Sequence, residues 1–162
     1  MTEMISRYIS LTEATRSDIA KKLGINNMPN KWELENLKLA AELFDKLRGY
    51  HRKPIYVSSF FRSKELNEAT PGSSKTSAHM AGAITGRRES AIDIDCDFFN
   101  NGITNKEAFE VLREFGGFDE LIWEFGNNEN PDWVHFSVRE SDNRGKVLRS
   151  KKVKDKVIYE EF

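Results

Sequence analysis

The sequence predicts an α+β fold with a largely antiparallel sheet, and three observations predict it. Helical periodicity dominates the first third of the chain. Segments of strand composition dominate the rest, and two of the late ones flank a polar loop as the arms of a hairpin do. At 162 residues, 38% hydrophobic and 31% charged, the chain suits one domain with a real core.

Each element has a local cause. Ser10 stands three residues before Glu13 as a capping box, and the helical tendency that follows stops at Gly24, which gives one or two short helices. Asn30 and Glu33 repeat the capping box. Leu37, Ala40, Ala41, Phe44 and Leu47 then recur at helical spacing, so the main amphipathic helix lies here. Residues 54–60 (PIYVSSF) and 90–98 (SAIDIDCDF) have strand composition. A further helix runs from Thr104 to Phe115, capped by Thr104 with Glu107 and closed by Gly116 and Gly117. Residues 120–125 (ELIWEF) and 133–138 (WVHFSV) are strands joined by GNNENP, a hairpin connection longer than two residues. Residues 139–162 read as a basic C-terminal extension of the same domain. Within it, 139–156 hold eight Lys or Arg against three Asp or Glu, the composition of a solvated surface.

Charge and cysteine content narrow the function classes. A net charge of −1 provides no overall field towards nucleic acid or an anionic membrane, so neither is expected as a partner. The one cysteine, Cys96, forms no intramolecular disulfide and reads as a small buried apolar residue. The N-terminal stretch MTEMISRYIS lacks the apolar region of a signal peptide, and no run approaches the roughly 20 apolar residues of a membrane span. The expectation is a chain made in the cytoplasm without a Sec-type signal, which something else must release if it acts outside.

Three histidines are available for chemistry. His51, in the polar stretch GYHRKP, reads as a surface residue. His79 ends the Gly/Ser/Thr-rich loop TPGSSKTSAH, an irregular setting suited to a functional side chain. His135 lies on a strand where Trp133, His135 and Ser137 share one face and the apolar Val134, Phe136 and Val138 take the other, so it faces away from the core. Asp93, Asp95 and Asp97 alternate with Ile92, Ile94 and Cys96, placing three carboxylates along one strand face; a solvated edge would give the same pattern. Two neutral imidazoles with one of these carboxylates match the ligands of a catalytic Zn²⁺ site with an open position, whereas a structural site would want thiolates. A general base is then needed. Asp132, three residues before His135, is well placed, with Glu124 and Glu129 as alternatives. Arg62, in SSFFRS, is the candidate cation for an anionic substrate or a developing oxyanion.

At these residues the chain resembles the M15 family of zinc D,D-carboxypeptidases and L-alanyl-D-glutamate endopeptidases, especially its small phage and bacterial members. The elements occur in the family's order: SFFRS (59–63), LN (66–67), SAH (77–79), Gly82, AIDI (91–94) and WVHFS (133–137). The resemblance spans roughly residues 10–138. It implies the M15, hedgehog-like peptidase fold, with N-terminal helices packed on the sheet that carries one Zn²⁺ per chain. It implies His79, Asp93 and His135 as zinc ligands, Asp132 as general base, Arg62 as substrate clamp and Ser77 as a residue that orients substrate. The expected partner is a peptidoglycan stem peptide, cut by a monomer during cell-wall lysis or remodelling, as by a phage or prophage endolysin acting at the wall or from a phage particle. A catalytically impaired wall-peptide binding module is the alternative. A Mg²⁺ nuclease built on Asp93, Asp95 and Asp97 is disfavoured, because carboxylates from one strand do not converge and net positive charge is lacking.

Two departures from the family pattern carry expectations of their own. Phe60 stands where glycine is usual and would narrow the pocket. Fourteen positions separate His79 from Asp93, more than the pattern has, so AITGRRES is expected to bulge as a loop with Arg87, Arg88 and Glu89 exposed at its tip.

Overall fold

The computed structural model of the chain describes residues 2–162. Two short helices, α1 (Leu11–Thr15) and α2 (Asp18–Leu23), precede the long α3 (Lys31–His51). Strand β1 (Tyr56–Ser59), helix α4 (Lys64–Ala69) and strand β2 (Glu89–Asp95) follow. Then come α5 (Asn105–Phe115), β3 (Glu120–Glu124), β4 (Trp133–Arg139), β5 (Lys146–Val153) and β6 (Lys156–Glu161). The six strands form one sheet in the order β1-β2-β4-β3-β5-β6, antiparallel throughout except where β5 runs parallel to β3. The α+β class with a largely antiparallel sheet is therefore correct, and β3 and β4 are the two arms of the expected hairpin.

The capping boxes form as the sequence requires. Ser10, Asn30 and Thr104 each accept a hydrogen bond from the backbone of Glu13, Glu33 and Glu107, whose carboxylates return to the cap's N–H. One face of α3, with Leu37, Ala40, Ala41, Phe44 and Leu47, is buried against the apolar side of the sheet, where Ile92, Ile94, Val134 and Phe136 are fully covered. This packing buries one face of the sheet and leaves the other free to carry polar side chains. Cys96 is buried as expected, and burial pushes its thiol up to about 12. Among the described residues, no helix is long and apolar enough to cross a membrane.

Polar residues fix how α3 meets the sheet. The Ser90 hydroxyl donates to the Asn36 carbonyl (2.7 Å) and accepts from the Ala40 N–H (3.1 Å), so it inserts into one rung of the α3 ladder and ties the helix to β2. The Asn36 amide donates to the Ala81 carbonyl at 3.1 Å. One helix turn thereby holds both β2 and the segment that follows His79.

Three local expectations need correction. The strand read as 90–98 ends at Asp95. Asp95 then caps a 3-10 turn over Cys96–Phe99, so Asp97 leaves the carboxylate row. Glu89 is not at an exposed loop tip. It is buried as the first residue of β2, opposite Arg139, and accepts the Thr85 hydroxyl at 2.6 Å, while Arg87 and Arg88 are exposed as expected. The basic stretch after residue 139 is not a featureless surface. Arg144 closes on buried Asp119 through Nε (3.0 Å) and Nη2 (2.7 Å), and this clamp starts β5 beside β3.

Candidate metal centre

His79 is set by the irregular segment that carries it. The Ser77 hydroxyl accepts the His79 N–H (3.2 Å) and caps a 3-10 turn over Ala78–Met80; Ala81 then takes a left-handed conformation (φ 52°). Gly82 follows at φ +82°, and a Cβ there would meet the Arg87 carbonyl at 2.0 Å and the Trp32 ring at 2.7 Å. Only glycine fits that crossing of chain and helix α3. The His79 carbonyl accepts the Arg62 N–H at 3.0 Å, and His79 Nδ1 lies 2.6 Å from the Phe60 carbonyl. Phe60 thus buries its ring in the core while its backbone orients the imidazole.

Asp93 and His135 come from the sheet. They are register partners on β2 and β4, on the face opposite Ile92, Ile94, Val134 and Phe136. His135 Nδ1 lies 2.8 Å from Asp93 Oδ1, and His79 Nε2 lies 3.3 Å from the same oxygen. One ligand atom from each of His79, Asp93 and His135 falls within 4.8 Å of the others, so these three residues could hold a metal ion. Asp95 is not among them; its carboxylate accepts from the Asp97 N–H and the Asn105 amide.

The electrostatics fit a cation at this point. Burial, reinforced by the Arg62 charge, lowers the His79 pKa to about 4, so its imidazole is neutral at pH 7. A carbonyl can only accept, so the His79 proton sits on Nδ1 and donates to Phe60. Nε2 is then a buried lone pair with no hydrogen-bond partner among the described residues, aimed at the Asp93 carboxylate. His79 Nε2 and Asp93 Oδ1, 3.3 Å apart, are two electron-pair donors that one cation could share. The carbonyl behind His79 is the outer contact that a metal-binding imidazole commonly uses. Burial lowers the His135 pKa, but the Asp93 hydrogen bond and charge outweigh it and raise the net value.

The remaining candidates surround this cluster. Arg62 follows β1; its Nη1 donates to Asn67 Oδ1 (3.2 Å), and its buried Nε has no hydrogen-bond partner among the described residues. Burial lowers its pKa while Asp93 raises it, which places the guanidinium within electrostatic reach of the cluster. Asp132 sits just before β4. Its N–H donates to the Glu124 carbonyl (2.9 Å), its carbonyl accepts the Asn105 amide (3.1 Å), and its carboxylate is exposed. Glu124 is buried on the same sheet face, opposite Trp133, and accepts the Ser150 hydroxyl; burial raises its pKa. Glu129 is exposed in the hairpin loop, and His51 ends α3 outside the cluster. The sequence reading did not single out Asn36, Ser90 or Asn105, the buried polar residues that hold the surrounding backbone. Their one signal was polarity at positions where the helical or strand period calls for apolar side chains.

Two imidazoles and a carboxylate converging on the open face of a mostly antiparallel sheet are the donor set of a mononuclear metal site of the hydrolytic type. The Peptidase M15 family profile matches residues 7–137, well over half of the chain, and the chain belongs to that peptidase family. Neither curated proteins nor solved structures provide a match.

Proposed function

We propose that this chain is a zinc metallopeptidase that hydrolyses peptide bonds in peptidoglycan stem peptides, acting as a monomeric phage or prophage endolysin in cell-wall lysis. The observation that carries the metal assignment is the buried, unpartnered His79 Nε2 aimed at Asp93 beside His135. His79, Asp93 and His135 would hold one Zn²⁺, which when bound polarises a carbonyl and lowers the pKa of a water. Membership of a peptidase family supports the choice of a peptide bond, and the resemblance of the motifs to wall-active members supports the stem peptide.

The chain's own residues supply the rest. Asp132 takes the proton of the attacking water and delivers it to the leaving amine as the C–N bond breaks. Its exposed carboxylate can do so because only its backbone is committed to neighbours, whereas Glu124 is engaged with Ser150. Arg62, fixed by Asn67, binds a substrate carboxylate or the developing oxyanion. Ser77 orients substrate indirectly, by capping the turn that bears His79.

The test is digestion of purified peptidoglycan with zinc-loaded protein, with new termini identified by mass spectrometry. New peptide termini that vanish on chelation and return with Zn²⁺ are the expected result. Intact peptidoglycan with full zinc occupancy would overturn the substrate; absence of zinc binding would leave a wall-peptide binding module.

A further inference from the structure

The family match ends at residue 137, but the sheet that carries the cluster continues through β5 and β6. Register fixes what those strands add. Trp133 pairs with Glu124, Glu124 with Ser150, and Ser150 with Tyr159. In the next row of the same face, Asp93 pairs with His135, His135 with Ile122, Ile122 with Leu148, and Leu148 with Glu161. Register partners project to the same side of a sheet, and the bond from the Ser150 hydroxyl to the Glu124 carboxylate shows which side that is. Tyr159 therefore stands on the face that bears His135 and Asp93. Ser150 is completely buried, whereas Tyr159 is 54% exposed and its hydroxyl bonds to no other described residue. Burial raises its pKa, and so do the charges of Glu124, Asp93 and Glu120.

We infer that Tyr159 is a substrate-binding residue that makes the site selective for peptides of several residues over short fragments. The inference rests on the stem-peptide reading above. Three strand spacings of about 4.8 Å separate β4 from β6, roughly 14 Å, and an extended peptide rises about 3.3 Å per residue. A substrate whose scissile bond lies at the cluster reaches the Tyr159 ring only if it continues for about four residues towards β6. Arg62, just past β1, lies at the other end of this line. The ring offers a flat apolar wall and the hydroxyl a hydrogen bond to a peptide carbonyl, both at low entropic cost because the side chain has few rotatable bonds.

The experiment compares zinc-loaded wild type, Tyr159→Phe and Tyr159→Ala on a stem pentapeptide and on the dipeptide that spans the same cleaved bond. Tyr159→Ala is expected to raise KM for the pentapeptide about tenfold with kcat within about twofold, and to change the dipeptide several-fold less. Tyr159→Phe should fall between wild type and Tyr159→Ala. Bound zinc should stay at the wild-type level in both variants. An unchanged pentapeptide KM in Tyr159→Ala, or equal losses on the two peptides, overturns the role of Tyr159 alone. A wild type that cleaves neither peptide overturns the stem-peptide reading and this inference with it.

Discussion

His79 Nε2 and Asp93 Oδ1 face each other at 3.3 Å without a proton between them, because the His79 proton is spent on the Phe60 carbonyl. This one contact separates a metal-binding arrangement from a hydrogen-bonded triad. In a triad, each imidazole nitrogen that meets the carboxylate would carry a hydrogen, as His135 Nδ1 can.

If Asp132 moves the proton, Asp132→Asn should retain zinc and lose turnover by about 10²-fold or more, since the amide cannot accept a proton while its backbone contacts stay intact. Steady-state rates alongside metal analysis decide this. Full activity in the variant would pass the role to Glu124, the buried carboxyl on the same sheet face.

Arg62→Lys keeps the charge but removes the planar fork, and with it the contact with Asn67 and a two-pronged grip on a carboxylate. The expected outcome is a loss of about tenfold or more in kcat/KM with zinc content unchanged. An unaltered kcat/KM would remove Arg62 from the substrate-binding set.

Stability should depend on pH through Asp119. Burial pushes its carboxyl up, but the hydrogen bonds from Arg144 and the charges of Arg139 and Arg144 outweigh this and hold it below the ordinary value. A pKa depressed by folding contributes stability that is present above the unfolded value, about 3.9, and is lost as pH falls through the folded one. Asp119→Asn should therefore cost about 1 to 2 kcal/mol at pH 7, tempered by the partial exposure of Arg144. The gap between wild type and variant should close below pH 4. Thermal melts across that range check it, and a gap that stays constant would assign the loss to something other than ionisation.

The legible parts of the molecule were those with a local cause. Capping boxes at Ser10, Asn30 and Thr104, the apolar stripe from Leu37 to Leu47, and the alternation around His135 each report on neighbours within a turn or a strand, and each element formed. His79, Asp93 and His135 could be picked out because histidines are scarce and because the motifs lie in the family's order. What could not be read depended on distant partners. The strand containing Asp93 looked continuous to residue 98, but Asn105, from the following helix, accepts the Cys96 N–H at 2.6 Å where the strand ends. Strands β5 and β6 were hidden because a charged two-stranded edge has the composition of a solvated surface, and the Asp119–Arg144 clamp that starts them joins residues 25 positions apart. Tyr159 shares the site's sheet face only through two such pairings in series.

The central claim is a metal held by His79, Asp93 and His135, and zinc stoichiometry of purified variants tests it most directly. Wild type should bind one Zn²⁺ per chain. His79→Ala, His135→Ala and Asp93→Ala should fall well below that, while His51→Ala and Asp95→Ala should match wild type. Asp95 accepts bonds from Asp97 and Asn105 and lies outside the cluster. Melting curves should show each variant folded. Zinc retained by Asp93→Ala and lost by Asp95→Ala, or equal zinc in all five variants, would contradict the account.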